Sequence, residues 1–308
     1  MHYKVTCIGA VLVDELYYSI EKAIPATSNP AVMKRSAGGV MRNIAHHLTL
    51  LGIKTEFITV AGNDQEGKWL LGSCRKAGII MENVLIDGCS TGKYTAIINP
   101  DGSLHAAAAY NPCEEWLTIN FLEQRKSSIE NADLVIADTN LKEEELAWII
   151  TFCNQKRIPL VLEPVSISKA GKLSRINLEG VFMVTPNEEE LISIVKNIAD
   201  TTFAISELIR SGVKNIWVTK GEQGSDFYCS ENKIHLAAPA VKVIDSTGAG
   251  DATIAGWIAA YLNGMDTLEC IQAGHSLAAV VLENKGAIAE NISMAYLKNA
   301  MKKYYAGE

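Results

Sequence analysis

Apolar positions in this chain fall into short β-branched runs, separated by longer stretches in which they recur every three or four residues. The runs "KVTCIGAVL" from Lys4, "TEFITVAG" from Thr55, "ADLVIADTN" from Ala132, "IPLVLEPV" from Ile158, "VFMVTPN" from Val181 and "KNIWVTKG" from Lys214 read as strands. Between them, "VMRNIAHHLTLLG", "EEELAWIITFCNQKR" and "TFAISELIRSG" carry helical spacing, and the last two close on basic residues or glycine, as helix ends prefer. Such alternation predicts an α/β fold, a parallel sheet sandwiched between helical layers. Two segments break the rhythm. Leu16 to Arg35 is rich in polar and proline positions, and "KYTAIINPDGSLHAAAAY" sets an Asn99-Pro100-Asp101-Gly102 turn between two apolar stretches. They read either as strands of a small lid, over about 15–36 and 91–112, or as ordinary surface excursions. No repeat or linker divides residues 1–308, which are expected to form one domain.

Charge and cysteine usage narrow the function classes. Lys and Arg number 28 against 35 Asp and Glu, and no basic tract suited to a phosphate backbone occurs, so nucleic acid is an unsuitable partner. Seven scattered cysteines without a Cys-x-x-Cys pair read as reduced core thiols rather than a metal or redox site. The first residues lack a secretory cleavage pattern, and no apolar run is long enough to span a bilayer, so a cytoplasmic protein without membrane contact is expected.

The stretch Val243–Ile254, "VIDSTGAGDATI", moves from an extended-looking segment into a helical one. Gly248, Ala249 and Gly250 would then present free amides at a helix start, where an anion is favoured. Asp251 in the first turn is placed to take a proton from a hydroxyl while those amides stabilise a transferring phosphoryl group. By itself, so short a motif is more economically a tight turn with an acid at a helix start. Gly38 and Gly39 open an earlier helix and permit close approach of a ligand, with Asn43 one turn in offering both donor and acceptor, and Arg42, His46 and His47 beside it. Asn187 and Glu190, three apart in "TPNEEEL", can share a face and hold hydrated magnesium, or simply favour a helix N-terminus. Gly221 and Gly224 follow a strand as a nucleotide loop or a hairpin, and Asp14 stands at a strand end, where open α/β sheets bind ligands.

Together, "AGGVMRNIAHHLTLLG" and "DSTGAGDATIAGW" resemble the two motifs of the ribokinase-type, or PfkB, family of carbohydrate kinases, over nearly the whole chain. The resemblance implies a ribokinase-like three-layer sandwich with a mostly parallel sheet and a β lid. It also implies Mg2+-dependent transfer of the ATP γ-phosphoryl group to a primary hydroxyl of a sugar or nucleoside, and leaves only a monovalent-cation requirement open. By the same resemblance Asp251 is the catalytic base, with Gly248, Ala249 and Gly250 the anion hole. Asp14, Gly38, Gly39 and Asn43 hold the sugar, Asn187 and Glu190 position magnesium and phosphate, Thr219, Gly221 and Gly224 approach the nucleotide, and Lys285 and Gly286 in "ENKGA" wall the adenine pocket. Within the family, Arg42-Asn43, "EPVS" at Glu163–Ser166 and "INPDGSLHAAAAYN" most resemble pseudouridine kinases, with Met41 and Glu163 as departures. On that reading the acceptor is the 5′-hydroxyl of pseudouridine, and Lys93 and Asn111 near the lid contact base or ribose, though a solvated lid charge explains Lys93 equally well. The alternatives are ribose, another sugar or another nucleoside as acceptor, or a non-catalytic binding protein on the same scaffold. A dinucleotide-dependent oxidoreductase is disfavoured, because Gly9-Ala10-Val11 follows the first strand where Gly-x-Gly-x-x-Gly would be needed. The apolar lid, with Ile97, Ile98, Leu104 and Ala106 to Ala109, suggests a homodimer through that surface.

Overall fold

Strands whose residues are buried on both faces can exist only where helices cover both sides of a sheet. Leu134–Asp138 and Leu160–Glu163 are buried at every position. The computed structural model describes residues 3–82, 84–195, 200–229 and 232–305. Its strands are β1 (Lys4–Ile8), β2 (Leu12–Ser19), β3 (Ala31–Gly38), β4 (Lys54–Ile58), β5 (Ala61–Gly62), β6 (Leu85–Ile86), β7 (Lys93–Ile98), β8 (Leu104–Tyr110), β9 (Leu134–Asp138), β10 (Leu160–Glu163), β11 (Met183–Val184), β12 (Asn215–Thr219), β13 (Ser225–Cys229) and β14 (Asn232–Leu236). The helices are α1 (Val40–Leu50), α2 (Gln65–Lys76), α3 (Ile119–Glu123), α4 (Lys126–Glu130), α5 (Glu143–Lys156), α6 (Ile167–Ala170), α7 (Glu188–Ile194), α8 (Thr201–Arg210), α9 (Ala249–Leu262), α10 (Thr267–Leu282) and α11 (Met294–Tyr305).

The main sheet runs β14-β13-β12-β11-β10-β9-β1-β4, parallel from β4 to β12, with β13 antiparallel to β12 and β14 antiparallel to β13. Each expected strand is present, so the fold is a three-layer α/β/α sandwich with a mostly parallel central sheet. The carboxyl ends of β1, β9, β10, β11 and β12 open on one edge, the place where such sheets bind ligands.

A second sheet, β3-β2-β7-β8, forms the smaller lid. Its strands begin earlier than expected, at Leu12, and end at Gly38 and Tyr110. The run from Lys4 is therefore not one strand: it breaks at Gly9, where the chain passes so close to Asp138 that a Cβ would lie 2.3 Å from the carboxylate. Gly102 closes the Asn99–Gly102 turn in a left-handed conformation, donating to Asn99 O at 2.9 Å. Side chains alternate across a strand. Asp14, Leu16, Tyr18, Lys34, Tyr94, Ala96 and Ile98 line the cleft, while Glu15, Arg35 and Lys93 project from the other face.

Two expectations change. Cys89 and Cys113 are paired, with Cα atoms 6.0 Å apart, so not every thiol is a reduced core thiol. The stems of the β7–β8 hairpin bring them together, a proximity that spacing along the chain does not reveal. Val241–Asp245 pairs with no strand. It crosses the open edge as a loop held by Ile244 N–H to Leu282 O at 2.7 Å, with Val243 and Ile244 exposed toward the cleft. Among the described residues no helix is long and apolar enough to cross a membrane.

Candidate active site

Two helix starts meet at the open edge. At the first, Gly38 leaves room for the Asp14 carboxylate, which would lie 2.1 Å from an added Cβ, and Gly39 takes φ 101° as the N-cap of α1. One turn on, the Arg42 guanidinium donates to Asn43 Oδ1 at 3.0 Å, and Asn43 Nδ2 donates to Asp251 Oδ2 at 2.8 Å. Arg42 is almost fully buried, its Nε lacks a hydrogen-bond partner, and it is electrostatically coupled to Asp14 and Asp251. At the second start, Gly248 is left-handed and caps α9; a side chain there would strike Ala287 O. The Gly250 and Asp251 amides have no backbone acceptor among the described residues, which leaves them free for an anion.

Loss of water dominates the electrostatics. Burial raises the Asp251 carboxyl from 3.8 to about 7, against the Asn43 hydrogen bond and Arg42, which favour the anion, while Asp14 and Asp138 add repulsion. Asp14 rises to about 6 by burial, opposed by Arg42, and Asp138 to about 6 by burial, opposed chiefly by its hydrogen bonds from Asn140. Asp251 is thus poised near neutrality, where a general base works best. His47 is buried and stays neutral, its pKa lowered to about 4 by burial, with Nε2 at 3.0 Å from Ala287 O. That contact ties α1 to the loop behind the anion hole.

A cavity of about 890 Å3 adjoins the α9 start on the side away from the lid. Thr219, Gly221 and Gly224 line it with Ala238, His275 and Leu282, a wall suited to a nucleotide. Lys285 and Gly286 do not. Lys285 lines the separate lid-side cavity, and the Gly286 amide donates to Asp245 Oδ2 at 3.0 Å, bracing the turn before the anion hole.

Asn187 and Glu190 form a reciprocal capping box on α7: Glu190 N–H donates to Asn187 Oδ1 at 2.8 Å, and Asn187 N–H to Glu190 Oε2 at 2.9 Å. The capping box occupies Asn187 Oδ1 and Glu190 Oε2, which leaves Glu190 Oε1 as the oxygen that could face a hydrated cation. Glu190 sits beside buried Glu163, whose pKa is pushed well up by burial and by Glu190. No cluster of three metal-ligating side chains occurs among the described residues. One free carboxylate oxygen on Glu190 fits outer-sphere contact with hydrated Mg2+ better than a protein cage.

Two assigned residues are not among those lining the lid-side cavity. Lys93 projects from the lid face opposite Asp14, held by Glu66 at 2.9 Å and Glu15 at 3.2 Å, so β7 carries its ammonium away from the cleft. Asn111 caps the turn beyond β8, its Oδ1 packed against Gly92 without a hydrogen-bond donor. Sequence reasoning missed Asp138, which accepts from the Ala10 and Asn140 amides at 3.3 and 2.9 Å and feeds its charge into Asp251. The polar "DTN" closing an otherwise apolar strand was its signal. Glu163 was noticed only as a departure from a pattern. It accepts from the Thr185 hydroxyl at 2.5 Å and the Val165 amide at 3.1 Å, beside a left-handed Val165 (φ 66°), strain that a β-branched residue adopts only where its surroundings impose it.

The raised Asp251 pKa has a consequence for stability. The folded value lies above the unfolded one, so the contribution is complete below the ordinary carboxylate range and is lost as pH rises through about 7. Asp251→Asn removes this loss. Its melting temperature is expected to gain on that of wild type between pH 4 and 8, and a difference constant with pH would contradict the assigned shift.

Residues 3–294 match the model of the pfkB family carbohydrate kinases. The chain is 33% identical to the sugar kinase YeiI of Escherichia coli K12 over 263 residues, 83% of this chain and 71% of that protein. It is 29% identical to pseudouridine kinase of the same organism, covering 94% of each. A carbohydrate kinase from Agrobacterium tumefaciens superposes with a TM-score of 0.81 at 26% identity, covering 97% of both chains. Fold and family are those of ATP- and Mg2+-dependent phosphotransferases that act on a sugar or nucleoside hydroxyl. This chain belongs to the pfkB family of carbohydrate kinases.

Proposed function

We propose that the chain moves the γ-phosphoryl group of ATP to the primary hydroxyl of a sugar or nucleoside, with pseudouridine the first acceptor to test. The observation that carries the reaction is Asp251: a carboxylate with a near-neutral pKa, aimed by Asn43, in the first turn of a helix whose free amides face the same cleft. Support for pseudouridine comes from the Arg42-Asn43 and Glu163–Ser166 patterns and from the pseudouridine kinase similarity. The similarity to a sugar kinase supports the wider class equally.

In this mechanism Asp14 and Asn43 orient the acceptor hydroxyls below the lid, with Gly38 and Gly39 giving the backbone clearance they need. Asp251 accepts the proton of the attacking hydroxyl as the new O–P bond forms. The Gly250 and Asp251 amides stabilise the charge on the phosphoryl group. Thr219, Gly221 and Gly224 bound the nucleotide. Mg2+, held through water by Glu190, would neutralise phosphate charge when bound. Arg42 limits the mutual repulsion of Asp14 and Asp251.

The test is ADP release from ATP and Mg2+ with pseudouridine, uridine, ribose and other sugars offered singly, to wild type and Asp251→Asn. Turnover of at least one acceptor, reduced about 10²–10⁴-fold in the variant, is expected. Pseudouridine preference would support the narrower reading and preference for ribose would discard it, while full activity of Asp251→Asn would remove the base assignment. We also propose a homodimer through the lid. Its outward face presents Ile97, Ala106, Ala108 and Tyr110, whereas Ile98 and Leu104 line the cleft. Light scattering should show a dimer at micromolar concentration that Tyr110→Glu dissociates; a wild-type monomer would contradict it.

A further inference from the structure

Beneath the lid lies a cavity of about 740 Å3, bounded by Asp14 and Tyr94 on the lid and by Asp245, Ser246 and Thr247 on the turn leading to the anion hole. Two ammonium groups share its walls, Lys34 from β3 and Lys285 from the loop after α10. Lys34 sits opposite Leu16 in the β2–β3 register, which directs it to the cleft, and its Nζ rests 4.8 Å from the centre of the Tyr18 ring. Neither ammonium is within ion-pairing distance of a carboxylate among the described residues. The neighbouring lid cations differ: Arg35 and Lys93 lie on the other face, both paired with Glu66.

A phosphoryl group entering this site meets an excess of like charge. Asp14, Asp138 and Asp251 surround the reaction point, and Asp245 lies across the cavity. Burial works against its charge, yet hydrogen bonds from Thr247 and Gly286, together with Lys34, hold its pKa below the ordinary value. Arg42 is the cation nearest Asp251, and it is already committed to Asn43 and the two carboxylates. The first turn of α1 carries no other positive group. Amides supply only partial charges, and Mg2+ held through Glu190 would approach from the α7 side, so the lid side is where a further full charge can reach the anion in transit.

We propose that Lys34 is a further catalytic residue, an ammonium that the lid brings onto the γ-phosphoryl group during transfer. This rests on the phosphotransfer reading. In the step, the acceptor oxygen bonds to the γ-phosphorus, and the bond to the bridging oxygen breaks with its electron pair leaving on ADP. The hydroxyl proton passes to Asp251, and Lys34 keeps its protons throughout, acting by charge alone. Its resting place on Tyr18 stores the cation beside the site, with no carboxylate within ion-pairing distance among the described residues.

The test compares wild type, Lys34→Met, Lys34→Gln and Lys34→Arg for turnover of whichever panel acceptor is phosphorylated. Calorimetry then measures binding of Mg·ADP with and without aluminium fluoride in the presence of that acceptor. Lys34→Met and Lys34→Gln should keep the wild-type melting temperature, ADP affinity and acceptor KM within about threefold. They should lose roughly 10²-fold in kcat and in the tightening produced by aluminium fluoride, with partial recovery in Lys34→Arg. Unchanged kcat, or a loss confined to acceptor KM, would overturn the role of Lys34 while leaving the kinase reading intact. A wild type that turns over no acceptor and gains nothing from aluminium fluoride would overturn both.

Discussion

The hydrogen bond from Asn43 to Asp251 joins two helix starts that are 208 residues apart in the chain, and the rest of the site is arranged around it. A carboxylate so enclosed would stay protonated at neutral pH if left alone. Asn43 and Arg42 lower the cost of its charge enough to bring the pKa back to about 7, while Asp14 and Asp138 hold it above the usual range. The balance is local, but it needs the frame. Glycines 9 and 38 let the backbone pass close to Asp138 and Asp14, and Gly248 fits against Ala287. His47, neutral and buried, braces α1 against the same loop.

On either side of this point lie two cavities with different walls. The larger is built from loops after β12 and β14 and from the faces of α9 and α10, all packed on the main domain. The other is roofed by the lid, a four-stranded sheet outside the main one. The proposed phosphoryl transfer across the start of α9 would therefore run between a side walled by the main domain and a side walled in part by the lid. The unpaired Lys34 belongs to the second side.

Much of this was legible because it is periodic or local. Buried strands such as β9 and β10 appear as unbroken apolar runs, and the Gly-x-Gly-Asp turn sits where an apolar stretch passes into a helix. What was not legible depends on contacts between distant segments. The face of Lys93 is decided by strand register, which turns it toward Glu15 and Glu66. The Cys89–Cys113 pair needs the hairpin stems to converge. Asp138 looks like the polar end of a strand until Gly9 and Ala10 are seen against it. Lys285 follows a helix whose last turn walls the nucleotide cavity, yet a left-handed Gly286 and its bond to Asp245 place it on the other side.

The central claim is that Asn43 tunes Asp251 as a base at neutral pH, and the pH dependence of kcat in wild type and Asn43→Ala tests it most directly. With an acceptor that wild type phosphorylates, the acid limb should fall near pH 7. Removing the hydrogen bond that favours the carboxylate should move that limb to higher pH in the variant. A limb near pH 4 in wild type, or one that stays in place when Asn43 is replaced, would contradict the account.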